Sequence, residues 1–153
     1  MEVVKAPDFP TGGVIYGMSG VRSAYRTGSG IIKLRARTHI EEQRDGREHI
    51  VVTEIPYLVD KSTLLQKMAD LVRGKTIEDI SNIRDESGRD GLRIVVELKR
   101  NGQHEVVLNQ LFSHSMLQFS FGVNAIAIVK GRPETLNLKQ LLEHYVAHRH
   151  EVI

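Results

Sequence analysis

Between Gly30 and Arg37 apolar and basic side chains alternate, with Ile32, Leu34 and Ala36 on one side and Lys33, Arg35 and Arg37 on the other. A period of two predicts a strand that buries one face. The turn signal Arg44-Asp45-Gly46-Arg47 precedes a second β-rich run, HIVVTEI, so the two read as a hairpin that Pro56 ends. The period then changes: Leu64, Leu65, Met68, Leu71 and Val72 fall at i, i+1, i+4, i+7 and i+8. That spacing predicts an amphipathic helix, capped by Asp60 and closed by Gly74. IEDISNIRDE and LRIVVELKR follow as two strands joined by a polar loop at Ser87-Gly88, and a second helix is expected over about Glu105 to Ser113. FGVNAIAIV reads as one nearly continuous apolar strand, buried on both faces and ended by Gly131 and Pro133. Asn137 caps a last helix with Leu138, Leu141, Leu142, Tyr145 and Val146 on one side, and with no stop signal it is expected to run on.

From His49 the order is strand, helix, strand, strand, helix, strand and terminal helix. That order predicts an α+β fold, a two-layer domain with a mainly antiparallel sheet and packed helices, ferredoxin-like in its element order. The chain then divides into a lead-in segment with a short helix over 1–30, an α+β domain over 31–136, and the start of a long connecting helix over 137–153. In the lead-in, prolines and glycines in VVKAPDFPTGGVIYGMSG favour irregular backbone. Ser19 is placed to cap a short helix through Tyr25, ended by Gly28.

Composition narrows the chemistry. No apolar run approaches the ~20 residues that span a bilayer, so a cytoplasmic protein with no membrane partner is expected. The absence of cysteine removes disulfides, thiolate nucleophiles and Cys-type zinc sites. Net charge is only +2 at pH 7, but it is unevenly spread. Residues 1–37 carry six basic and two acidic side chains, the rest fifteen and seventeen. One end of the chain is therefore the expected side for phosphate.

Gly28-Ser29-Gly30 leads into a strand, whereas a Walker loop joins a strand to a helix, so the glycines read as turn or cap residues. Glu143-His144 with His148 places two His one turn apart, but the Glu precedes the pair and no third ligand is evident; an exposed polar face is the better reading. Asp85, Glu86 and Asp90 form the densest acidic cluster, with Arg84 and Arg89 interleaved to pair with them. No nucleophile elbow is present, so no catalytic or metal-binding residue is assigned. Lys33, Arg35 and Arg37 remain, repeating every ~6.6 Å along a strand. Such a row suits neighbouring phosphates of a nucleic acid. It equally suits a strand face kept soluble by charge; Arg22 and Arg26 nearby favour the first.

PDFPTGG, GMSGVRSAYRTGSGIIKLRAR, IVVTEIPY, ISNIRDES, GLRIVVELKR, VVLNQL, LQFSFGVNAIAI and LNLKQLLEHYVAHRHEVI, in that order, resemble the A subunits of the type IIA DNA topoisomerases, bacterial DNA gyrase and its close paralogue topoisomerase IV. The resemblance covers essentially the whole chain. It implies the tower, or shoulder, region and the beginning of the helix that leads to a coiled coil. It also implies a parent isomerase that passes one duplex through a transient break in another and, in gyrase, introduces negative supercoils. In such a parent, ATP and Mg²⁺ are held by the B subunit, and two A subunits pair in an A2B2 assembly. The nucleophilic tyrosine lies upstream, so Tyr16, Tyr25, Tyr57 and Tyr145 do not inherit its role. The fragment alone is then inactive and without a cofactor; it holds double-stranded DNA through Arg22, Arg26, Lys33, Arg35 and Arg37. The alternative within the family is a structural spacer that transmits gate opening with little DNA contact. Ser29 departs from the family's usual Arg at that place, which removes one cation from the expected surface.

Overall fold

The alternating stretch becomes two strands rather than one. The computed structural model, which describes residues 1–153, runs from β1 (Val14–Ile15) and α1 (Ser19–Thr27) into β2 (Ser29–Arg35), β3 (Arg37–Glu42) and β4 (Glu48–Glu54). Then come α2 (Lys61–Arg73), β5 (Ile80–Asp85), β6 (Ile94–Leu98) and α3 (His104–His114). The chain ends with β7 (Gln118–Asn124), β8 (Ile126–Val129), β9 (Arg132–Thr135) and α4 (Leu138–Val152). The α+β class expected from the pattern is observed. The residues group into two compact units, one of Met1–Asp8, Ile15–Lys33 and Ser120–Ile153, the other of Phe9–Val14 and Leu34–Phe119. We call them the helical unit and the sheet unit.

In the sheet unit β2 gives way to β3 at Ala36, whose N–H donates to the Leu117 carbonyl at 2.8 Å and so leaves the strand ladder. Four antiparallel strands follow in the order β3-β4-β6-β5. Ile40 opposes Ile50, and Ile50 and Val52 oppose Val96 and Ile94. The order β4-β6-β5 is that of a ferredoxin-like sheet. The place beside β4 is filled by β3, because a short turn, with Gly46 at φ 82°, closes that hairpin at small entropic cost. β7 pairs in the three-stranded sheet β1-β2-β7 instead. Ile50, Val52, Leu64, Met68, Ile94, Val96, Val107 and Leu111, all fully buried, join the sheet to α2 and α3 in one core. Asp60 caps α2 as expected, accepting from the Thr63 N–H at 2.9 Å. Gly74 stops it with an ordinary φ of −77°, and the left-handed residue is Lys75 at φ 57°.

The sheet also carries an ionic chain. Arg93 binds Glu41 at 2.9 Å and Glu86 at 3.0 Å, and Arg84 binds Glu97 at 2.8 Å. Hydrogen bonds from Arg93, then from His39, lower the Glu41 pKa from 4.5 to about 2. A depressed carboxyl pKa stabilises the fold above the unfolded-state value and loses that contribution as pH falls through the folded one. The sheet unit is therefore expected to lose stability as pH falls from 4.5 towards about 2. Glu41→Gln should flatten part of that loss, read as the pH dependence of the melting temperature; an unchanged profile would show that Glu41 contributes nothing.

The helical unit departs from the sequence reading in two places. Met18, not Ser19, occupies the N-cap of α1, and no side chain caps it; Ser19 is the first helical residue. FGVNAIAIV is not one doubly buried strand. It breaks after Asn124, where the Ala125 N–H turns to the Gly28 carbonyl at 2.8 Å. The rest forms a β8–β9 hairpin, with Ile126 and Ile128 56% and 76% exposed. Lys130 and Gly131, at φ 50° and 79°, make the tight two-residue turn whose twist suits a hairpin. Pro133 lies within β9 and is tolerated because the ribbon has only two strands. Asn137 caps α4 through a full capping box with Gln140, yet no residue of α4 is buried, and Leu142, Tyr145 and Val146 are each more than half exposed. No helix is long and apolar enough to cross a membrane.

Candidate nucleic-acid interface

The basic residues of the helical unit are fixed by backbone contact. A Cβ on Gly20 of α1 would lie 1.8 Å from the Ile31 carbonyl oxygen of β2, and one on Gly30 would lie 2.6 Å from the Gly20 oxygen. Helix and strand thus touch main chain to main chain, a separation open only to glycine. Gly28 ends α1 in the left-handed conformation at φ 82° and returns its N–H to Ala24. Val21 and Ala24 turn inward, whereas Arg22 and Arg26, one turn apart, are exposed. Lys33 is exposed on β2, and its carbonyl accepts from the Tyr16 N–H at 2.8 Å. Arg22, Arg26 and Lys33 form no ion pair, so their charge is not neutralised by a carboxylate of the chain. Ser29 is exposed as well; its carbonyl accepts from Ser23 and Thr27 hydroxyls, each at 3.0 Å.

Arg35 and Arg37 belong to the sheet unit and are engaged there. Arg35 is half-buried, donates Nε–H to Gln118 at 2.7 Å, and stacks its guanidinium 4.5 Å from the centre of the Phe112 ring. Arg37 pairs with Glu54 at 3.0 Å. The Glu54 carboxylate also accepts from the Gly13 N–H at 2.7 Å; that bond, then Arg37, lowers its pKa and keeps it anionic. The alternation placed Lys33, Arg35 and Arg37 opposite the buried Ile32, Leu34 and Ala36, and in the structure Lys33 and Arg37 are exposed while Arg35 is half-buried. The pattern carried no sign that Arg35 and Arg37 have partners distant in sequence.

The remaining chemistry candidates resolve into local structure. Asp85 pairs with Lys61 at 2.9 Å and accepts from Ser87; these contacts, led by Ser87, lower its pKa to about 2. Arg84 reaches Glu86 at 3.5 Å as expected, whereas Arg89 and Asp90 form no ion pair; Glu86 and Glu97 find further partners in Arg93 and Arg84. His144, His148 and His150 are exposed on α4, and no group of three or more potential ligands is arranged to hold a metal.

What this basic surface belongs to is decided by sequence relatives. The family model that describes the A subunit of DNA gyrase/topoisomerase IV matches residues 1–153. The chain belongs to that family. It is 51% identical over 153 residues to the DNA gyrase A protein of Clostridium acetobutylicum, an alignment covering all of this chain and 18% of that protein. Against the DNA gyrase A proteins of Neisseria gonorrhoeae and Pseudomonas aeruginosa it is 52% and 51% identical over 155 residues, again across the whole chain and 17% of each relative. The chain thus spans less than a fifth of the length of these gyrase proteins. The family that the blocks from PDFPTGG to the terminal helix resemble is thus the one whose model matches the whole chain.

Proposed function

We propose that this chain is the part of a type IIA topoisomerase A subunit that grips the gate duplex and supports the cleavage core. The reading is carried by one observation: Arg22, Arg26 and Lys33 stand exposed and without carboxylate partners on a helix and strand locked together at Gly20 and Gly30. Phosphates approached by such side chains are held without base readout, which suits an enzyme that acts on duplex of any sequence. In the sheet unit Arg35 and Arg37 are further candidate phosphate ligands, Arg37 by exchanging Glu54 for phosphate. The chain itself performs no chemistry. In the parent enzyme, which resides in the cytoplasm as an A2B2 assembly, the B subunit supplies the ATP and Mg²⁺ sites, and the product is negatively supercoiled DNA. The equivalent region of topoisomerase IV would grip DNA in the same way.

The second reading, a spacer that transmits gate opening, draws on the exposed apolar side of α4 and the engaged state of Arg35 and Arg37. Salt dependence separates the two. Five phosphate contacts give a slope of log affinity against log salt near ~−4.5, and the three unpaired cations alone near ~−2.7. Titration of a duplex with the chain should give a slope between these values. A slope near zero would favour the spacer.

A further inference from the structure

Beside α1 lies a cleft of about 680 Å³ that involves none of β2. It is contained within the helical unit, between α1, the opening residues Met1–Val4 and the first turn of α4. Met1, Val3, Val4, Leu138 and Leu142 make its apolar lining, and Tyr25, Arg26 and Lys139 bring polar groups to it. We propose that this cleft seats a phosphate of the bound duplex between Arg26 and Lys139, so that the DNA track continues from α1 onto α4. The inference rests on the DNA-gripping reading and adds to it a contact, Lys139, outside the basic strand.

Three features support the assignment. Lys139 is 86% exposed, and its one ion pair, with Glu143 at 3.9 Å, is at the outer limit of such contacts. A pair so long and so exposed contributes little and is readily exchanged for phosphate. Arg26 lines the cleft and lies one turn from Arg22 on α1, so a contact in the cleft adjoins the Arg22–Arg26 row. The Tyr25 phenol, its pKa raised by burial, keeps its proton and remains a hydrogen-bond donor. Glu2 also lines the cleft and Glu143 pairs with Lys139, so a bound phosphate takes the place of a long surface ion pair.

The test is binding of a mixed-sequence duplex to the chain and its variants, titrated with salt. Lys139→Gln should weaken binding about fivefold at 0.15 M salt and make the slope shallower by ~0.9, the signature of one lost phosphate contact. Lys139→Arg should restore both, and Lys67→Gln, which removes an exposed cation of the sheet unit, should change neither. Melting temperature checks that the fold is kept. An unchanged affinity and slope for Lys139→Gln, or an equal loss from Lys67→Gln, would overturn the cleft contact. The Arg22, Lys33→Ala variant, which leaves Arg26 in the cleft, reports on the underlying reading: if it binds like the parent while Lys139→Gln does not, the α1–β2 grip fails and the cleft contact stands.

Discussion

Gly20→Ala is expected to detach α1 from β2 and to weaken duplex binding, by up to the roughly 100-fold that loss of the Arg22, Arg26 and Lys33 contacts would cause, without removing a single charge. The added Cβ would sit 1.8 Å from the Ile31 carbonyl oxygen, far inside any contact a carbon atom tolerates. Because the opposing atom is backbone within a strand, it has no rotamer through which to retreat. Overpacking in a well-packed site costs roughly 1–3 kcal/mol, and this position lies at or beyond the upper end. Gly30→Ala meets the Gly20 oxygen at 2.6 Å and the Ala24 nitrogen at 2.9 Å, so it should act in the same direction. Among the helical unit's residues only Val21, Ala24, Ile32 and Leu136 are buried hydrophobics, a small reserve against such a loss. Hydrogen exchange separates a local from a global effect: amides of 19–33 should lose protection while those of β4 and β6 keep theirs. Gly88→Ala, in open space with nothing within 4 Å, should be silent. Full protection of α1 in Gly20→Ala would contradict the account of how the basic residues are positioned.

The same contact explains what was legible in the sequence. The alternation of Ile32, Leu34 and Ala36 with Lys33, Arg35 and Arg37 identified the faces correctly, since burial along a strand follows directly from its period. The caps of α2 and α4 were legible because Asp60 and Asn137 act on backbone three residues away. Gly30 was legible only as a turn glycine; its actual role depends on a helix ten residues earlier lying across it. FGVNAIAIV misled for a related reason. An apolar run registers hydrophobicity without stating what covers it, and the Lys130-Gly131 turn was masked by Pro133, which resembles a strand terminator until the ribbon is known to have only two strands. The Glu54 carboxylate beside Arg37 and the Phe112 ring beneath Arg35 lie 17 and 77 residues away along the chain, beyond the reach of any local pattern.

The central claim is that Arg22, Arg26 and Lys33 hold duplex DNA by its phosphates. Its most direct test is the salt dependence of duplex binding by the Arg22, Arg26, Lys33→Ala variant beside the parent chain, with melting and hydrogen exchange confirming that α1 remains packed. Loss of three contacts should make the slope shallower by ~2.7 and weaken binding on the order of 100-fold at 0.15 M salt. An affinity and slope equal to those of the parent, with the fold intact, would contradict the claim and leave the chain as a spacer.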